Sequence, residues 1–136
     1  MAGSGRPASG PDLRGARILV VEDSCLVADM IADHLNECGC AVVGPATRLD
    51  AALWLAGSER LDGALLDVNL AGEESFPVAR MLQARRIRFA FLTGYSDITL
   101  PDEFAGVPCL TKPFTYDSFI RLVAGRFGRN ARTDGS

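Results

Sequence analysis

A chain of 136 residues with 48% hydrophobic and 23% charged residues and a net charge of -3 reads as one globular domain with room for a proper core. The charge, with no clustered excess of Lys and Arg, excludes a general nucleic-acid binder, and no apolar run approaches the roughly 20 residues needed to cross a bilayer. The N-terminus lacks the apolar core of a secretory signal, so the expectation is a cytoplasmic protein without nucleic-acid or membrane partners.

Residues 1–15, rich in Gly, Ser and Pro and without apolar periodicity, predict a disordered leader outside the fold. Ile18, Leu19, Val20 and Val21 form an unbroken branched run, the pattern of a strand buried on both faces in a parallel sheet. Ser24 then caps a helix whose apolar positions Leu26, Val27, Met30, Ile31 and Leu35 fall at helical spacing, and Gly39 closes it. A second strand follows at 41–44, and a second helix carries Leu49, Leu53 and Leu55 and stops near Gly57. Trp54 and the leucines around it are expected to pack between helix and sheet. GALLD (63–67) predicts a third strand, Phe76 to Leu82 a third helix, RFAFLT (88–93) a fourth strand, VPCLT (107–111) a fifth, and Tyr116 to Phe127 a last helix. Between the last two strands, SDITLPDEFAG (96–106) holds Pro101 in its middle and Gly106 near its end, leaving one or two turns for a marginal, mobile fourth helix. Residues 129–136 predict a disordered tail, too short for an output domain, so output passes to another protein.

Strands alternating with helices at this length imply an α/β fold: a doubly wound, five-stranded parallel sheet in the flavodoxin-like order 2-1-3-4-5, spanning residues 16–128. Ligands in such folds bind beyond the carboxyl ends of the strands. Polar groups stand at those ends: Glu22 and Asp23 after the first strand, Asp67 closing the third, Thr93 closing the fourth, and Lys112 just after the fifth. The four cysteines, Cys25, Cys38, Cys40 and Cys109, show no paired CxxC spacing, and His34 stands alone, so a zinc site is not expected. Reduced thiols and a boundary histidine are the plainer reading.

Adjacent carboxylates repel and raise each other's proton affinity unless a cation lies between them. Glu22, Asp23 and Asp67, gathered on neighbouring strands, therefore call for a hard divalent ion, and Mg²⁺ suits oxygen ligands of this kind. Lys112 is the one lysine beside thirteen arginines. An ammonium is a compact point charge that enters a pocket closed to a planar guanidinium. A carboxylate beside a metal can act as a nucleophile toward phosphorus, with the metal, Lys112 and Thr93 spreading charge on the transferred group. The same metal assists water in cleaving the acyl phosphate.

These residues carry a resemblance. From about Arg17 to Phe127 the chain resembles a response-regulator receiver domain of the two-component family, through "VVEDS", "LLDVNLAG", "LTGY" and "LTKPF" in that order. The resemblance implies that Asp67 accepts a phosphoryl group from a sensor histidine kinase or a histidine phosphotransfer protein. It implies that Glu22, Asp23, Asp67 and the backbone carbonyl of Asn69 hold Mg²⁺, and that Thr93 and Lys112 bind the phosphoryl group. By the same resemblance Asn69 and Tyr95 occupy the positions, two beyond Asp67 and two beyond Thr93, that tune attack by water in receivers, with an ordinary loop role as the alternative for each. RFAFLTGY (88–95) is similar to the PFxFATGY-like stretch of the FAT GUY subgroup of stand-alone receivers, keeping Phe89, Phe91, Thr93, Gly94 and Tyr95 but departing at Arg88 and Leu92. Where most receivers carry a switching aromatic three residues before the lysine, this chain has Cys109. Thr93 and Tyr95 are expected to couple phosphorylation to movement of the 95–106 segment.

The implied role is a single-domain response regulator that signals through an unidentified downstream protein, or acts as a phosphate shuttle or sink. It is not a turnover enzyme. A haloacid-dehalogenase-like phosphatase needs a second Asp two residues beyond the nucleophile, where this chain has Asn69. A flavodoxin needs a hydroxyl-rich phosphate loop, which Glu22 and Asp23 oppose. A phosphorylation-independent interaction module on the same fold is the remaining alternative.

Overall fold

A computed structural model describes residues 13–94 and 100–128, and the statements below concern these. The apolar runs become β1 (Arg17–Val21), β3 (Gly63–Asp67) and β6 (Phe89–Thr93), flanked by β2 (Ala41–Ala46) and β7 (Cys109–Thr111) in one sheet. All four pairings in the order β2-β1-β3-β6-β7 are parallel. Counted over this sheet, that is the expected order 2-1-3-4-5.

Strand alternation divides the core into two layers. Leu19, Val21, Leu66, Phe89 and Phe91 point to the face covered by α2 (Leu49–Ser58) and α3 (Phe76–Ala84). Ile18, Val20, Leu65, Ala90 and Leu92 point to the face covered by α1 (Cys25–Glu37) and α4 (Tyr116–Phe127). Because both faces are covered, the strands read as continuous apolar runs rather than alternating ones.

The ends of the helices follow local chemistry. Ser24 caps α1, its Oγ accepting from the Val27 N–H at 3.4 Å. At the other end Gly39 sits at φ +86, with its N–H donating to the Asn36 carbonyl and the Cys40 N–H to that of Leu35, a Schellman closure. α3 closes the same way, with Arg86 N–H to Gln83 and Ile87 N–H to Leu82. There the left-handed position at φ +61 is held by Arg86. A side chain in that conformation costs about 1–2 kcal/mol that glycine avoids. α4 opens with a capping box between Thr115 and Ser118.

The structure corrects several expectations. Leu13 is buried in the α1/α4 layer and the Gly15 N–H donates to the Gly39 carbonyl, so the fold takes in residues 13–15 of the expected leader; residues 1–12 and the tail from 129 lie outside the described residues. Trp54 does not pack on the sheet but is 66% exposed, because Ala52 and Ala56, one turn apart, occupy the sheet-facing line of α2. Leu26, 81% exposed, and Met30 likewise lie outside the buried line of α1, which is Ala28, Ile31 and Leu35. A two-stranded antiparallel hairpin, β4 (Asn69–Leu70) and β5 (Glu73–Glu74), stands between β3 and α3 where no element was expected. β2 runs to Ala46 rather than residue 44. β7 begins at Cys109 rather than residue 107. In the 95–106 segment the described part holds one 3-10 turn, Asp102–Phe104, whose Phe104 is buried among Phe76, Phe89 and Phe91; residues 95–99, Tyr95 included, lie outside the described residues.

Candidate active site

The parallel register brings the carboxyl ends of β1, β3, β6 and β7 to one rim. Val21 pairs with Leu66, Asp67 with Leu92, and Thr93 with Thr111. The residues just past these ends, Glu22, Asp23 and Lys112, thereby meet Asp67 and Thr93. The Lys112 N–H donates to the Thr93 carbonyl at 2.7 Å, which fixes the lysine backbone beside the end of β6.

Glu22 and Asp67 are both buried, and the Lys112 ammonium bridges them: Nζ donates to Glu22 Oε1 at 3.0 Å and to Asp67 Oδ2 at 3.2 Å. Glu22 Oε2 accepts from the Ser24 N–H at 3.0 Å, so the residue that caps α1 also orients the acid before it. Asp23 is exposed, and its Oδ2 accepts from the Ala71 N–H at 2.8 Å. Ala71 and Gly72, at φ +51 and +96, form the two-residue turn of the hairpin. Asn69 Oδ1 accepts from the Gly72 N–H at 2.8 Å and braces the same turn. Thr93 is buried at the end of β6.

One ammonium does not balance these acids. Burial, then the charge of Glu22, push the proton affinity of Asp67 up to about 7 despite Lys112. Burial pulls Lys112 the other way, but the hydrogen bond to Glu22 and the charges of Asp67 and Glu22 outweigh it and hold the ammonium protonated. Glu22, Asp23 and Asp67 each offer an oxygen within 4.8 Å of the others. Three hard oxygen donors, two of them buried and short of positive charge, fit a divalent cation such as Mg²⁺.

The structure thus brings together Glu22, Asp23, Asp67, Thr93 and Lys112 as the sequence predicts, with Asn69 two residues beyond Asp67 at the start of the hairpin. The sequence did not reveal Ala71 as the anchor of Asp23, because the contact is a backbone one made by a turn. The Ala-Gly pair after Asn69 and Leu70 is the only local sign of it.

No protein-family model matches the chain. It is 33% identical to the transcriptional regulatory protein TcrA of Mycobacterium tuberculosis over 129 residues, covering 90% of this chain and 51% of TcrA. The chain thus spans about half the length of that relative. A response regulator of Burkholderia pseudomallei, solved with a phosphorylated aspartic acid, a calcium ion and citrate, aligns with TM-score 0.65 and 26% identity over 88% of this chain and 71% of that one. The solution structure of SdrG from Sphingomonas melonis Fr1 aligns with TM-score 0.72 and 41% identity, covering 81% of this chain and 94% of that one. The chain belongs to the response-regulator receiver family. As a receiver it is a component of two-component signalling. Among its described residues no helix is long and apolar enough to cross a membrane.

Proposed function

We propose that this receiver is a phosphoacceptor: Asp67 takes a phosphoryl group from a phosphohistidine of a sensor kinase or phosphotransfer protein. The observation that carries this reading is the buried Asp67 carboxylate held between Lys112 and the acidic pair at the end of a parallel strand. The Burkholderia neighbour, described with a phosphorylated aspartic acid and a calcium ion, supports it.

Lys112 engages Asp67 Oδ2, which leaves Oδ1 to attack phosphorus. The new O–P bond forms as the P–N bond breaks, and the electron pair leaves with the imidazole. Lys112 then follows the charge onto a phosphoryl oxygen, moving from an attractive contact with the carboxylate to one with the transferred group. The Thr93 hydroxyl supplies a donor to a second phosphoryl oxygen. Glu22, Asp23, Asp67 and the Asn69 carbonyl would hold Mg²⁺, which when bound supplies charge neutralisation for phosphoryl transfer and for later hydrolysis. Glu22 also keeps Lys112 aimed inward, and Ala71 keeps Asp23 at the rim.

The phosphorylated form signals by altered association with a downstream protein or drains phosphate as a shuttle. Phosphoramidate, the simplest P–N donor, tests the chemistry. Peptide mapping after borohydride reduction of the acyl phosphate is expected to find homoserine at position 67 in place of aspartate. Homoserine at another position, or none, refutes the assignment.

A further inference from the structure

Charge is also concentrated at the opposite end of the sheet. Asp62 and Arg88 immediately precede β3 and β6, whose far ends carry Asp67 and Thr93. Around them Arg60, Arg85, Arg86 and Arg88 line a concavity of about 290 Å³, together with Leu61 and Ile87 and with Asp62 as the one acid among the lining residues. Four arginines thus line a concavity that holds a single acid, in a chain whose net charge is -3. Asp62 is moreover shared: its Oδ2 accepts from the Arg17 N–H at 2.9 Å and lies 3.7 Å from the Arg60 guanidinium.

The frame under these arginines is fixed by backbone hydrogen bonds. The Ala64 N–H donates to the Arg88 carbonyl at 3.1 Å and the Asp62 N–H to that of Arg17 at 2.8 Å. Arg85 Nη1 donates to the Ala56 carbonyl and Arg88 Nη1 to that of Arg126, so both side chains are held in place. Each guanidinium carries five N–H donors, and Arg85 and Arg88 each place one of these on a backbone carbonyl. Arg86 enters no side-chain hydrogen bond or ion pair among the described residues.

A solvated charged surface is the plainer account of arginines at the edge of a fold. One observation weighs against it. Arg86 occupies the left-handed closing position of α3, where this chain uses glycine at the matching place after α1, so a guanidinium stands there against the backbone preference.

We infer that this arginine pocket is an anion site that takes a diphosphate group, either free inorganic diphosphate or the diphosphate of a nucleotide. Guanidinium forks match adjacent phosphoryl oxygens in bidentate fashion. The lining holds no aromatic residue to stack a base, and its size is at the small end for ligand sites, so the diphosphate itself is what is recognised. The site is separate from the Asp67 rim and does not rest on the phosphoacceptor reading.

Isothermal titration of the whole chain at fixed ionic strength, without Mg²⁺, tests this. Inorganic diphosphate is expected to bind at one site, at least about tenfold tighter than orthophosphate, because two phosphoryl groups engage more of the guanidinium donors. Asp67→Asn is expected to bind it equally, whereas Arg86→Gly and Arg60→Gln weaken it about tenfold each, as loss of one charge-assisted contact implies. Arg86→Gly should also melt a few degrees higher without ligand, since glycine relieves the backbone, so its weaker binding is not a folding defect. Adenosine diphosphate binding tighter than diphosphate assigns the nucleotide as source; equal or weaker binding assigns the free anion. The inference is overturned by absence of saturable binding, by binding that Arg86→Gly and Arg60→Gln leave unchanged, by loss of binding in Asp67→Asn, or by equal binding of a tetraglutamate peptide.

Discussion

Replacing Lys112 by methionine removes the one cation between two buried acids while keeping an unbranched side chain one atom shorter. At an effective dielectric near 20, contacts of 3.0 and 3.2 Å are each worth about 5 kcal/mol of attraction. Desolvation of the ammonium and the carboxylates cancels most of this, and breaking a buried pair by removing one partner typically costs about 3–5 kcal/mol. Lys112 keeps 21% side-chain exposure, so the lower figure applies, about 3 kcal/mol in the metal-free protein. With an m-value of about 2 kcal/mol/M, the urea midpoint falls by about 1.5 M at pH 8 in EDTA. The loss shrinks at pH 5, because Asp67, whose proton affinity is already pushed up to about 7, is neutral there and the repulsion disappears. Saturating Mg²⁺ should restore part of it at pH 8 by supplying the missing charge. A loss under about 1 kcal/mol at pH 8, or one indifferent to both pH and Mg²⁺, refutes the charge-balance reasoning.

Four other outcomes follow from the same structure. A Cβ at Gly63 would stand 2.4 Å from Phe127 Cδ1, so Gly63→Ala is expected to cost about 1–3 kcal/mol in urea unfolding, with recovery when Phe127 is shortened to leucine. Phe104 is fully buried against three other phenylalanines, so Phe104→Ala should cost about 3–5 kcal/mol and lower Tm accordingly. Asp67 binds its proton above its ordinary 3.8, so the metal-free protein should lose stability as pH rises from about 4 through about 7. Mg²⁺ must displace that proton, and its affinity measured by calorimetry should weaken as pH falls below about 7.

Much of the fold is legible in the sequence because burial on both faces turns parallel strands into uninterrupted apolar runs, as at Ile18 to Val21. The rim residues are legible for a related reason: an acid or a lysine ending such a run has nowhere to be but the carboxyl edge. What escaped was set by geometry rather than by composition. Trp54 is as apolar as its neighbours, yet Ala52 and Ala56 claim the sheet-facing line of α2. Leu13 is a lone apolar residue in a Gly- and Pro-rich stretch, and its burial depends on a niche formed by distant elements. The hairpin at 69–74 has no apolar alternation to announce it, and its turn matters through a backbone N–H. The arginine pocket joins residues 60–62 to 85–88, a proximity that only the strand order creates.

The most direct test of the phosphoacceptor site is intact mass after incubation with a small phosphodonor, with and without Mg²⁺, for the native protein beside Asp67→Asn. One added phosphoryl group, formed only with Mg²⁺ and only when Asp67 is present, is the result expected from carboxylates and an ammonium sharing one rim. Equal modification of the variant, or no dependence on Mg²⁺, contradicts it.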